Sequence, residues 1–259
     1  MASVAEWIEG ARPRTLPAAI APVVAGAGVT GFTGTTLSTA AVWRNGLLAL
    51  VVALALQIGV NYFNDYSDGV RGTDEVRVGP VRLVGQGLAA PEQVKRAALL
   101  SLGVAGAAGF LLVLLSQQWI LLPVGAAAIL SAYAYTGGAR PYGYLGLGEL
   151  FVFVFFGPVA VCGTTLVTGG GLWPVSVITS VAIGLLTVGI LVANNLRDLH
   201  LDEDAGKHTL AVRLGDTGTR RLFATCNIVA FVLVAWLALL SPPWVLIGMA
   251  GAVPAVKAS

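Results

Sequence analysis

Long apolar runs separated by short polar joints dominate the chain. They fall at about residues 16–31, 46–64, 97–116, 119–136, 147–167, 174–196, 219–240 and 243–256. About 20 helical residues at roughly 1.5 Å each cross the hydrocarbon of a bilayer, so the pattern predicts eight spans, the first and last short. A strand reading fails, because runs of this length meet their backbone hydrogen bonds in lipid only as helices, and no barrel-like alternation is present. Joints such as Gly137-Gly138, Gly169-Gly170-Gly171 and Pro242-Pro243 punctuate the runs. The expectation is an all-α polytopic transmembrane helical bundle, one domain over residues 1–259. Two polar loops of any length remain, about 65–96 and 197–218.

Composition agrees with a membrane setting. Of 259 residues 56% are hydrophobic and only 11% charged, where a water-soluble domain carries about 25% charged residues. Net charge is 15 − 13 = +2, which argues against nucleic acid as a partner and leaves membrane lipid. Cys162 and Cys226 both lie in apolar stretches and read as buried small residues. With residues 1–15 placed inside, every Lys and Arg except Arg44 falls on one face, and the positive-inside rule makes that face cytoplasmic. All 13 Asp and Glu lie on the same face. The chain is expected to be a multi-pass protein of the inner, cytoplasmic membrane, with its chemistry facing the cytoplasm.

Two acid- and amide-rich clusters sit at the ends of apolar runs. The first contains Asn61, Asn64, Asp65, Asp68 and, further on, Asp74; the second contains Asn194, Asn195, Asp198, Asp202, Glu203 and Asp204. An ionised carboxylate near hydrocarbon costs about 2.5–3.5 kcal/mol even on lenient scales, so two such groups call for a compensating cation. Asn64 and Asp68 are four apart, and Asn194, Asp198 and Asp202 repeat that spacing, which aligns each set on one helix face. Oxygen donors of this kind suit Mg²⁺, which usually keeps waters and also binds substrate phosphate. The clusters follow the second and sixth spans, a weak two-half symmetry of the sort that can frame a site.

Basic residues stand where a diphosphate would need them: Arg71 after the first cluster, Arg82 in the Gly79–Gly87 loop, and Lys207 after the second. Metal with Lys and Arg stabilises departing phosphate oxygens. The implied substrate has a diphosphate head and a greasy tail, as in an allylic diphosphate, whose carbocation survives where water is excluded. Aromatic faces can support such a cation, and Tyr133, Tyr135, Tyr142 and Tyr144 surround the joint at Gly137–Pro141. Two other classes fit less well. A CDP-alcohol phosphotransferase gathers its acids on one stretch, and an ion-coupled transporter places carboxylates in mid-span.

At these residues the chain resembles the UbiA superfamily of intramembrane aromatic prenyltransferases. Asn64, Asp65 and Asp68 match its first motif, with Asp74 as a last acid at stretched spacing, and Asp198 and Asp202 match its second. The nearest likeness is to the menaquinone branch, through Ala11–Leu16, the Gly79–Gly87 loop, Tyr135–Glu149 and Asn194–Gly215. That likeness implies transfer of a polyprenyl group from polyprenyl diphosphate to 1,4-dihydroxy-2-naphthoate with loss of carbon dioxide, or to another aromatic acceptor such as 4-hydroxybenzoate. It implies Mg²⁺ on Asn64, Asp65, Asp68, Asp74, Asn194, Asp198 and Asp202, with Asp68, Asp198, Asp202 and Lys207 catalytic. Arg71, Arg82, Lys207 and Tyr135 would meet the prenyl diphosphate, and Arg14 or Arg140 the acceptor carboxylate. The family typically has nine spans, where eight are counted in this chain.

Overall fold

The computed structural model describes residues 2–72, 81–138 and 141–239, and these contain helices and no strand. The helices are α1 (Val4–Gly10), α2 (Leu16–Thr33), α3 (Thr39–Arg71), α4 (Pro91–Ser116), α5 (Leu121–Ala134), α6 (Gly148–Gly169), α7 (Pro174–Arg197), α8 (Leu199–Asp204) and α9 (Leu210–Leu239). Seven of the expected spans are present as helices α2 to α7 and α9. The run at 243–256, Asp74 and Arg140 lie outside the described residues. Six helical stretches are long and apolar enough to cross a membrane, and α5 is a shorter apolar helix. The chain is a multi-pass integral membrane protein.

The two polar loops differ from expectation, because helix runs into both. Helix α3 continues through Asp65, Asp68 and Arg71, and α4 begins at Pro91. Its 33 residues span about 50 Å at 1.5 Å each, well beyond a hydrocarbon core of about 30 Å, which carries its last turns into the polar zone. In the second region α7 ends at Arg197 and α8 starts at Leu199. The Asn194–Asp198–Asp202 spacing survives that break. The Asp198 N–H donates to the Asn194 carbonyl at 3.1 Å, and the Asp202 N–H to the Asp198 carbonyl at 2.9 Å.

Internal contacts divide the chain into two compact units. The first joins residues 1–20 to Leu47–Tyr144. Its core gathers Tyr62, Phe63, Leu83, Val94, Ala98 and Leu102. The short helix α1 is started by a reciprocal cap. Ser3 N–H donates to Glu6 Oε2 at 2.6 Å and Ser3 Oγ accepts from Glu6 N–H at 3.3 Å. The Tyr62 hydroxyl, donating to the Trp7 carbonyl at 2.8 Å, holds α1 on α3. Asn61 ties the next turn down, donating to the Ala11 carbonyl at 2.8 Å and to Thr15 Oγ1 at 3.0 Å.

The second unit joins Ala21–Gly46 to the residues from Leu145 onward. Its apolar cluster centres on Val188, Val192 and Cys226, with Phe153 and Phe223 against it. Small residues allow close backbone approach. A Cβ at Gly157 of α6 would lie 2.6 Å from the Ser180 carbonyl oxygen and 3.0 Å from Gly184 Cα of α7. The middle of α6, Phe155–Cys162, is wound as a π-helix around Pro158. Beyond it a threonine seam forms. Thr165 Oγ1 donates to the Gly26 carbonyl at 3.1 Å, Thr168 and Thr30 share a hydroxyl bond of 2.7 Å, and Asn45 Nδ2 donates to the Val167 carbonyl at 2.6 Å. Every partner in this seam is buried, so the bonds act as polar glue between helices.

Candidate active site

In the first unit the functional side chains project from the last three turns of α3. Asp68 is buried, and its Oδ1 accepts a 2.6 Å bond from the Tyr144 hydroxyl. Burial first, and then the Asp68 charge, push the Tyr144 hydroxyl above its ordinary pKa, so the phenol stays protonated and keeps donating. The Arg71 guanidinium lies over the Tyr144 ring at 5.0 Å and donates to the Gly138 carbonyl at 2.9 Å. Ser67 adds a 2.7 Å bond to the Thr136 carbonyl. One face of α3 is thereby stitched to the segment from Thr136 to Tyr144. Gly138 makes that turn possible with φ of +81°, and the Tyr135 ring meets Tyr142 edge-on at 5.5 Å.

Asp65 does something its spacing did not announce. Its Oδ2 accepts the Leu83 N–H at 2.8 Å and its Oδ1 the Val84 N–H at 3.0 Å. Both oxygens of this expected metal ligand are engaged by backbone, and they clamp the segment that carries Arg82, itself buried. Gly69 lets the clamp close, since a Cβ there would lie 2.5 Å from Val84 Cβ. Asn64 differs from Asp65, because its Oδ1 is buried and accepts no hydrogen bond. An orphaned amide oxygen four residues from the Asp68 carboxylate is a donor set that fits a hard cation such as Mg²⁺.

The second unit carries the other set. Asp198 is buried and takes a two-pronged contact from Arg197, at 2.8 and 2.9 Å. Asp202 and Lys207 are both buried, with Nζ 3.7 Å from Oδ1. Gly206, at φ +69°, turns the chain so that Lys207 N–H reaches the Asp202 carbonyl at 2.8 Å. Lys207 therefore balances Asp202 in a region where a lone charge would be costly. Asn194 is half-buried at the last turn of α7. Among the described residues, no three His, Cys, Asp or Glu side chains group closely enough by themselves to hold a metal ion. Any metal would therefore draw on amide, water or substrate oxygens as well.

Three features escaped the sequence. Arg12, rather than the exposed Arg14, has a buried guanidinium nitrogen and a left-handed backbone at φ +55°, unusual for a residue other than glycine. Tyr144, one of the four tyrosines at the joint, reaches an acid of the first motif. Glu149 in the first turn of α6 is buried beside the second motif and takes a 2.9 Å bond from Asn195 Nδ2. The only signal for Glu149 was an acid at the very mouth of an apolar run.

Known proteins bear on this geometry. The model of the UbiA prenyltransferase family matches residues 18–258. The chain is 54% identical over its whole length to a 1,4-dihydroxy-2-naphthoate octaprenyltransferase of Mycobacterium tuberculosis, covering 86% of that protein. It is 36% identical to the protein of the same name from Escherichia coli, over 92% of this chain and 81% of that one. Among solved structures, a UbiA homolog from Archaeoglobus fulgidus bound to DMAPP and Mg2+ superposes with a TM-score of 0.67 at 16% identity, over 91% of this chain and 78% of the other. At that identity the likeness is one of fold. With matches across nearly the whole chain, this protein belongs to the UbiA prenyltransferase family and is a transferase of prenyl groups.

Proposed function

We propose that the protein transfers a polyprenyl group from polyprenyl diphosphate to 1,4-dihydroxy-2-naphthoate with loss of carbon dioxide, a step of menaquinone synthesis, at the cytoplasmic face of the inner membrane. The observation behind this is the full-length 54% identity to the Mycobacterium tuberculosis octaprenyltransferase, on a chain that keeps both acid sets at helix ends. Asn64 and Asp68 supply oxygens assigned to Mg²⁺, and Asn194, Asp198 and Asp202 are assigned to Mg²⁺ likewise. Bound there, the metal supplies positive charge to the departing diphosphate. Arg71, Arg82 and Lys207 add fixed positive charge for the same oxygens. Asp65 serves by holding Arg82 in place, and Tyr144 by fixing the rotamer of Asp68. The apolar helices keep water from the allylic cation, while the electron-rich ring attacks it and then releases carbon dioxide. Arg14 or Arg12 holds the acceptor carboxylate.

The test uses purified protein in lipid vesicles, labelled polyprenyl diphosphate and a panel of aromatic acids. Transfer to 1,4-dihydroxy-2-naphthoate is expected, with 4-hydroxybenzoate a poor acceptor and EDTA abolishing turnover until Mg²⁺ is restored. Asp68→Ala and Asp198→Ala should each abolish transfer while remaining in the membrane. Normal turnover by either variant defeats the assignment.

A further inference from the structure

Glu149 is an acid with half of its hydrogen bonding undone. Its Oε1 accepts from Asn195 Nδ2 at 2.9 Å, while its Oε2 is buried and has no partner. The residue is 7% exposed, so bulk water does not reach that oxygen freely. A buried acceptor left without a donor is costly, and native structures retain such groups where a ligand completes them. Position narrows the ligand. Asn195 precedes Asp198 by three residues, which puts the two on one helical face about 4.5 Å apart along the axis. Glu149 is thus held against the helix turn that leads into an acid of the second motif, within the same unit.

We infer that Glu149, oriented by Asn195, binds a ring hydroxyl of the aromatic acceptor and sets which way the acceptor lies. This rests on the function proposed above. Of the two substrates in that reaction, the prenyl diphosphate offers an anionic head and a hydrocarbon tail, neither suited to a lone carboxylate oxygen. The dihydroxy acceptor carries two O–H donors. A carboxylate in the first turn of α6 is favoured by the helix dipole. It repels the acceptor's own carboxylate while receiving its hydroxyl, so one group supplies both attraction and orientation. A phenol bonded to a carboxylate is also the more electron-rich ring, which suits attack on an allylic cation.

The experiment compares wild type, Glu149→Gln and Asn195→Ala in vesicles with Mg²⁺ and farnesyl diphosphate. The acceptors are 1,4-dihydroxy-2-naphthoate and its 1-methoxy and 4-methoxy analogues. For wild type, one methoxy analogue should lose about tenfold or more in kcat/KM. Glu149→Gln should lose a similar factor on the parent acceptor, lose nothing further on that analogue, and keep its KM for farnesyl diphosphate. Asn195→Ala should shift in the same direction by less. Equal losses on all three acceptors, or a raised KM for farnesyl diphosphate, would mark a structural role and overturn the inference. If Glu149→Gln does not fold, wild type alone decides, because full turnover of both methoxy analogues refutes it. No turnover of the parent acceptor by wild type overturns the proposed function instead, and this inference with it.

Discussion

Replacing Asp65 with Asn tests whether that acid is a clamp or a metal ligand. In the native chain its two oxygens receive the Leu83 and Val84 amides at 2.8 and 3.0 Å. Each bond to a charged acceptor contributes roughly 1.5–3 kcal/mol. Asn keeps one acceptor oxygen and turns an NH₂ toward the second amide, so the loss is about 2–4 kcal/mol. The turn itself should persist, since Gln86 N–H still reaches the Arg82 carbonyl at 3.0 Å and Ala89 N–H the Leu83 carbonyl at 2.9 Å. What changes is its docking on α3. At about 1.4 kcal/mol per factor of ten, the undocked population rises roughly 30- to 1,000-fold. Hydrogen exchange by mass spectrometry in nanodiscs should show faster exchange confined to residues 81–90. The KM for prenyl diphosphate should rise as Arg82 loses its place. Unchanged exchange at Leu83 and Val84 would refute the clamp. If exchange held steady while the Mg²⁺ requirement rose, Asp65 would be a metal ligand after all.

Two further outcomes follow from the packing. Gly69→Ala puts a methyl 2.5 Å from Val84 Cβ, a branched carbon that cannot swing away. It should cost about 1–3 kcal/mol, read as a lower melting midpoint in detergent, and an unshifted midpoint would contradict the close approach. Lys207→Met removes the cation that lies 3.7 Å from buried Asp202 and should destabilise by about 3–5 kcal/mol. Adding Asp202→Asn should restore the melting midpoint but not turnover; recovered turnover would remove both residues from the chemistry.

How much of this was legible in the sequence depends on the distance over which each feature is encoded. Seven spans were readable because a run of apolar residues has no other home than lipid. Their ends were not, since Asp65, Asp68 and Arg71 are as comfortable in a helix as in a loop, and composition cannot tell where the ladder stops. The start of α1 was written in Ser3 and Glu6, a capping pair at the right spacing that the apolar pattern overshadowed. The acids were singled out by type and by i, i+4 repetition, and Asp65, Asp68, Asp198 and Asp202 are buried in the fold. Their individual duties were not, because these are assigned by partners far along the chain. Asp65 is defined by amides 18 and 19 residues on, Asp68 by a phenol 76 residues on, and Glu149 by an amide 46 residues on. No local period carries such information, and four tyrosines around one joint look alike until Tyr144 is seen to meet Asp68.

The wide coil at Phe155–Cys162 has a bearing on how α6 can vary. An ordinary helix advances about 100° per residue, 3.6 to the turn, and a π-turn accommodates one residue more than its neighbours. Deleting a single residue from that stretch would let the segment relax to regular winding with the downstream face nearly in phase, whereas straightening it at its present length would rotate everything downstream by a quarter-turn or more. Thr165 would then swing away from the Gly26 carbonyl and Thr168 from Thr30, although Glu149 at the opposite end stayed put. The coil works as a phase adjuster: it lets one continuous span present an acid at one mouth and a hydroxyl ladder at the other, each in its own angular setting. A one-residue deletion should be tolerated better inside that coil than anywhere else along α6.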